Sequence, residues 1–280
     1  MKRHIIFLIF LVFIVFSSCN SNEKKQKTQV QQRLSNIELL IENNLLNTAK
    51  IELDSIHILY PRMVDARRTA KALEDTITRK ENLRILAYCD SILPIKKQQA
   101  DSIAKNFRFE KNENYQNTGN FVYKTLQLEA NIERTYLRAY VDENADFYLI
   151  SNYTGTTKLS HTNLKVSVGE SYVQTNDIPT DNPMNHEFND EGVYWEIVTF
   201  KNELAAEVPV FIAQYANERI KVTLQGKRNY TYYLTNGDKK ALAETYNLRV
   251  AKKDVIMLEK EIQKAIANIE KINQRYSTPD

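Results

Sequence analysis

The densest run of chemistry-bearing residues is 177–192, where Asp177, Asp181, Glu187, Asp190 and Glu191 stand with three asparagines and His186 in sixteen positions. Such oxygen density suits Ca²⁺, which takes six to eight oxygen ligands from a flexible loop. The run lacks the D-x-[DN]-x-[DN]-G order of an EF-hand, and no second histidine follows His186-Glu187 to complete H-E-x-x-H. With Pro179 and Pro183 inside it, the run also has the composition of a polar connection between strands. Asp177, Asp181, His186 and Asp190 are therefore weak metal candidates, and no metal or other cofactor is expected.

Nucleophile patterns are weaker still. Gly169-Glu170-Ser171-Tyr172-Val173 begins like the G-x-S-x-G elbow but ends in valine, without the strand-to-helix turn that the elbow needs. Ser102-Ile103-Ala104-Lys105 spells S-x-x-K with no S-D-N or K-T-G companion. Cys89 stands beside Asp90, whose charge disfavours a thiolate, so it reads as a small core or boundary residue. His57 reads as a helix-boundary residue and His161 as a turn or strand-edge residue. No catalytic constellation assembles, and no enzyme is expected. The aromatic residues Tyr194, Trp195, Tyr230 and Tyr232 remain as weak ligand-binding candidates, since aromatic faces beside polar groups suit glycans as well as proteins. Ordinary cross-strand packing is the competing reading.

These side chains must be positioned by a chain of 280 residues, 42% hydrophobic and 26% charged, the composition of a globular protein. It holds only six glycines, none close enough to another to write G-x-G-x-x-G or G-x-x-x-x-G-K-[ST], which excludes those phosphate-binding loops. All six, and 12 of the 16 tyrosines, fall between residues 115 and 237. The flanks have no glycine and are rich in helix formers. The order is helix, sheet, helix.

In the first flank, Val30, Leu34, Ile37 and Ile41 recur at helical spacing, as do Leu45, Ala49, Leu53, Ile56 and Tyr60 after a break at Asn43-Asn44. Met63, Ala66, Ala70, Leu73 and Ile77 open a further stripe that Pro94 is predicted to interrupt. Leu53-Asp54-Ser55-Ile56 and Cys89-Asp90-Ser91-Ile92 echo one another at 36 residues, near a tetratricopeptide period, but that family's Trp, Leu-Gly and Tyr positions are missing.

From Asn120 the period becomes two, and seven strands are predicted over 121–128, 134–141, 147–153, 163–168, 193–200, 220–224 and 230–234. A short helix is predicted around Leu204–Tyr215. Seven strands make a sandwich or a strongly curved sheet. After Asn236-Gly237, Asp238 is the expected cap of a long helix. There Leu248, Ala251, Val255, Leu258, Ile262, Ala265, Ile269, Ile272 and Tyr276 keep three-four spacing. A helix of roughly 55–60 Å needs a helical partner, either the amino-terminal flank running antiparallel or a second copy.

The amino terminus carries the strongest signal. Lys2 and Arg3 precede an unbroken apolar run of 12 residues, Ile5 to Phe16, too short to cross a bilayer and followed by Ser17, Ser18 and Cys19. Phe16-Ser17-Ser18-Cys19 resembles the lipobox of a bacterial lipoprotein precursor, with phenylalanine where leucine is commonest. That looseness resembles uncharacterised lipoproteins of the Bacteroidetes group. The resemblance implies cleavage before Cys19 and acylation of Cys19. Asn20 implies the outer membrane, and the absence of an acidic cluster after it implies a periplasm-facing anchor. Without Lys2 and Arg3 the chain has 36 basic and 35 acidic residues, so no nucleic-acid footprint is expected.

The expected class is α+β: a signal peptide over 1–18, a lipidated tether over 19–29, a helical region over 30–110, a mostly antiparallel β domain over 115–236 and a long helix over 238–276. The expected role is structural or protein-binding at the cell envelope, with glycan or peptidoglycan binding by the tyrosine-rich domain as the alternative. No activity follows from the resemblance.

Overall fold

A computed structural model describes residues 23–114, 116–127 and 131–277. The signal peptide and Cys19 lie outside them. The class is α+β, with five helices and ten strands among the described residues. No described helix is long and apolar enough to cross a membrane. The chain divides into two compact units, one made of residues up to Tyr88 together with those from Glu261, the other of Cys89–Lys260.

The first unit contains helices α1 (23–42) and α2 (Leu46–Leu59) and the start of α3 (Val64–Ala104). Its core holds Val30, Leu34, Ile37 and Ile41 on α1, Ala49, Leu53 and Ile56 on α2, and Ala66, Ala70 and Ile77 on α3, all marked by periodicity. At the start of α2, however, Leu46 is buried and the expected Leu45 is 53% exposed, and Tyr60, Met63 and Leu73 are only partly buried. Asn44 takes φ 68° at the break between α1 and α2, a left-handed conformation that asparagine tolerates better than most residues. Residues 23–29, expected as tether, are already helical and exposed. Pro94 does not end α3, which runs through it. The two halves of the 36-residue echo fall at the middle of α2 and deep inside α3, so they mark no structural repeat.

The last helix, α5 (Asn236–Ser277), contacts α3 within each unit. In the first unit Arg275 reaches Asp75 at 2.7 Å and the Asn268 amide donates to Asn82. In the second, Lys96 pairs with Asp254 and Lys97 with Glu259, each at 2.7 Å. Within the first unit the partner falls from 275 to 268 along α5 as it rises from 75 to 82 along α3, so the two helices run antiparallel there. Tyr276, expected in the seam, is 62% exposed and donates its hydroxyl to Asp75.

Asp238 is not the cap of α5. Thr235 is: its hydroxyl accepts from the Asp238 N–H at 3.1 Å, while the Asp238 carboxylate accepts from the Thr235 N–H at 3.3 Å. This reciprocal pair is a capping box.

The second unit is a β sandwich. Its larger sheet has the order β1-β2-β3-β4-β8-β7, built from β1 (Phe107–Glu110), β2 (Asn120–Tyr123), β3 (Tyr136–Asp142), β4 (Phe147–Gly155), β7 (Asn185–Asp190) and β8 (Val193–Lys201). The smaller has the order β10-β9-β5-β6, from β5 (Asn163–Val168), β6 (Ser171–Gln174), β9 (Lys221–Gln225) and β10 (Tyr230–Tyr233). All described pairings are antiparallel. Leu137, Ala139, Val141, Leu149 and Val198 of the larger sheet share one core with Leu164, Val166, Val222 and Leu224 of the smaller. Helix α4 (Glu207–Gln214) adds Val208, Phe211 and Ile212, with Pro209 in its first turn, where a missing N–H breaks no helical bond.

Three strands were not legible in the period-two pattern: β1, which lies inside the region expected to be helical, β6 and β7. Strand β7 takes up six of the sixteen residues in the run expected to be a polar loop. Glu191 (φ 50°) and Gly192 (φ 85°) form its turn into β8, with the two positive φ angles that a tight two-residue hairpin demands.

Candidate aromatic cleft

The β7–β8 hairpin sets the register Phe188↔Trp195 and His186↔Ile197, and β4 pairs on the other side as Thr154↔Trp195 and Asn152↔Ile197. Because side chains alternate along each strand, Trp195, Ile197, Asn152, Thr154 and Phe188 share the face of the larger sheet opposite the sandwich core. Phe188 lies parallel to Trp195, with centroids 5.1 Å apart and planes 7° apart. Together with Ile132 and Tyr136 they line a cleft of about 290 Å³. Phe188 is 51% and Ile132 59% exposed. In the same cleft the Asn152 Nδ2 is buried and has no hydrogen-bond partner among the described residues. A buried amide without a partner is unfavourable unless a ligand or water supplies the acceptor.

The larger sheet carries a second aromatic pair on this face. Tyr140 stacks on Tyr148 with centroids 4.6 Å apart, and the Lys201 ammonium lies 5.2 Å from the Tyr148 ring. Burial, then the neighbouring Tyr148, push the Tyr140 phenol up to about 12. Lys201 donates to Asp146 at 2.6 Å, a bond that raises the ammonium and, before burial, lowers the carboxyl of Asp146.

The aromatic residues singled out from sequence are divided by the fold. Trp195 enters the cleft, while Tyr194 lies on the opposite face of β8, packed against the core. Tyr230 and Tyr232 belong to the smaller sheet. Tyr230 packs edge-on against Tyr153 at 5.2 Å. Burial pushes the Tyr232 phenol well above its ordinary value. The four therefore form no common platform. Phe188, which the sequence reading missed, completes the pair; a single aromatic in an otherwise polar strand was its only signal.

The metal candidates do not converge. Asp177 accepts from the Thr162 hydroxyl at 2.9 Å and the Asn163 amide at 2.5 Å. His186 and Asp190 are both exposed on β7, four residues or about 13 Å apart along the strand. Asp181 is exposed in the preceding turn. Among the described residues no group of three or more His, Cys, Asp or Glu could hold a metal ion.

His161 lies in the connection just before β5, as expected of a turn residue, but it is fully buried. Its Nδ1 lies 2.6 Å from Glu196 and its Nε2 3.0 Å from the Ser151 hydroxyl. The order Ser–His–Glu has the hydrogen-bond sequence of a hydrolase triad, but Ser151 and His161 are 0% and Glu196 1% exposed. No substrate reaches it. The Glu196 carboxylate also accepts from the N–H groups of Leu159, Ser160 and His161 at 2.6, 2.8 and 2.9 Å. Burial alone would raise this carboxyl; the His161 ring and the backbone donors outweigh it and hold it below its ordinary value of 4.5. Gly226 completes the arrangement, since a Cβ there would stand 2.5 Å from the Ser160 carbonyl and 2.6 Å from His161 Cα. The network fixes the 159–161 segment.

No protein-family model matches this chain, no curated protein matches it, and no solved structure matches it.

Proposed function

We propose that the protein is a non-catalytic binding protein of the cell envelope, anchored by lipid on Cys19, whose β sandwich captures a saccharide in the cleft around Trp195 and Phe188. The observation that carries this reading is the parallel Phe188–Trp195 pair beside the Asn152 amide, which has no partner among the described residues. The outer ring face and edges of a stacked aromatic pair beside an inward amide match a sugar, which offers an apolar C–H face and a rim of hydroxyl acceptors. The inaccessible Ser151–His161–Glu196 chain supports a binding rather than a hydrolytic role. The anchor rests on the lipobox-like sequence alone.

Trp195 is the sole tryptophan of the chain, so intrinsic fluorescence reports on the cleft directly. Titration of the full-length protein with soluble peptidoglycan fragments and plain oligosaccharides is expected to shift that emission saturably. Trp195→Ala is expected to abolish the binding measured by calorimetry. An unchanged binding isotherm in that variant would place the saccharide elsewhere and remove the reading. Metabolic labelling with a fatty acid, lost in Cys19→Ser, tests the anchor.

A second reading, docking of an envelope protein, draws on Ile51, Ile58 and Leu59 of α2, which are 66%, 75% and 55% exposed. Clustered aliphatics facing water mark interaction surfaces more often than scattered ones do. Affinity capture from native membranes, repeated with Ile51→Glu/Ile58→Glu, separates this contact from saccharide binding.

A further inference from the structure

Beside the aromatic cleft, on the same face of the larger sheet, lies a polar cleft of about 640 Å³ lined by Arg108, Glu110, Lys111, Asn120, Arg138 and Tyr140 among others. The two share strands β3 and β4. Tyr136↔Asn152 belongs to the aromatic cleft, and the next pair on the same face, Arg138↔Ile150, belongs to the polar one. Two residues along a strand is about 7 Å, roughly the width of one sugar ring. A single oligosaccharide can therefore touch both.

The chemistry of the second cleft centres on Arg138. Its side chain is only 16% exposed, and its sole described ionic contact is Nη2 to Glu110 at a long 3.4 Å. Its Nε is buried with no hydrogen-bond partner among the described residues. A guanidinium withdrawn from water with donors to spare is unfavourable as it stands. Its planar fork is matched by a carboxylate, which can accept two parallel N–H bonds at once. Arg108 and Lys111 add positive charge, and Glu110 is the one carboxylate in the lining. Lys111 is only loosely engaged by acids, at 3.8 Å from Glu113 and 3.9 Å from Glu143. The local field thus favours an anion.

We propose that this cleft holds the carboxylate of an acidic saccharide on Arg138 while a ring further along the same ligand rests on the Trp195–Phe188 pair. That pair stands four residues of β4, about 13 Å, from the Arg138 level, the span of a short oligosaccharide. The inference rests on the saccharide reading above and names its ligand class: a uronic-acid-type or carboxyalkyl-bearing sugar rather than a neutral one. The Asn152 amide lies between the two contacts and takes a ring hydroxyl or carbonyl as its acceptor.

The test uses the full-length protein and matched pairs of probes, galacturonate and glucuronate trimers and their methyl esters, followed by calorimetry and Trp195 fluorescence. The acids are expected to bind about tenfold more tightly than the esters at low salt, the scale of one well-made charge-assisted interaction. The advantage should shrink in high salt. Arg138→Gln is expected to bring the acid down to the affinity of its ester while leaving the ester unchanged. Arg138→Lys, which keeps the charge but not the fork, should retain only part of the difference. Equal affinities for acid and ester, or equal losses for both in Arg138→Gln, overturn the inference and leave the aromatic cleft as a neutral saccharide site. If neither acid nor ester binds, the saccharide reading fails and the inference with it.

Discussion

The two faces of the six-stranded sheet treat polar groups in opposite ways. On the inner face, Glu196, His161 and Ser151 are sealed from water, and the carboxylate accepts four hydrogen bonds from the His161 ring and the backbone of residues 159–161. On the outer face, Asn152 and Arg138 each keep a buried donor without a partner among the described residues. A satisfied buried network stabilises and specifies a fold, whereas an unsatisfied donor beside a cleft is a standing demand for an acceptor from outside. The face with the familiar catalytic order is sealed from substrate, and the face with no recognised motif is the one proposed to take a ligand.

Substitutions on the two faces should therefore separate stability from binding. The largest stability loss is expected for Glu196→Ala, which leaves three backbone donors and the His161 ring without an acceptor; removing one partner of a buried charged network typically costs about 3–5 kcal/mol. Urea unfolding measures it, and a loss below about 1 kcal/mol would mean that the network is incidental. Next comes Gly226→Ala. The added methyl meets backbone of residues 159–161 rather than a movable side chain, and overpacking of this kind costs about 1–3 kcal/mol.

The pH dependence has a definite sign. Because folding holds the Glu196 carboxyl below its ordinary value of 4.5, its contribution is complete above that value and is lost as pH falls through the lower folded-state value. Acid titration of stability should show this loss in the wild type, and Glu196→Gln should flatten it. Thr235→Ala, which removes one half of the α5 capping box, should cost about 1 kcal/mol, read from the thermal midpoint. The smallest stability effect is expected on the outer face. Phe188→Ser, at a half-exposed edge position, should change unfolding free energy by less than about 1 kcal/mol while weakening saccharide binding markedly. A large stability loss there would erase the distinction between the faces.

Much of the fold was legible because hydrophobic spacing is a direct consequence of burial. The stripe Val30–Ile41 became core of the first unit without revision, the stripe from Leu45 did so after a shift of its first position to Leu46, and Leu164, Val166, Val222 and Leu224 alternate as predicted into the sandwich. Strand β7 escaped notice because Asn185-His186-Glu187-Phe188-Asn189-Asp190 is an edge strand with five of six residues exposed, so no apolar period exists to be read. Pro94 misled for the opposite reason. A local rule against proline in helices was overridden by a tertiary one, since Lys96 and Lys97 just beyond it pair with α5. The cleft itself was visible only through Trp195. Its partners Phe188, Asn152 and Arg138 are brought together by register between β3, β4, β8 and β7, and pairing across some sixty residues of sequence leaves no mark on local composition.

The clamp that Glu196 places on residues 159–161 has a consequence for exchange with solvent. The amides of Leu159, Ser160 and His161 belong to no strand ladder, so they would ordinarily be among the first to exchange for deuterium. Tied to one carboxylate at the centre of the sandwich, they should instead exchange as slowly as the central strands. They should also be released together, as a single group, in the same acid range that protonates Glu196.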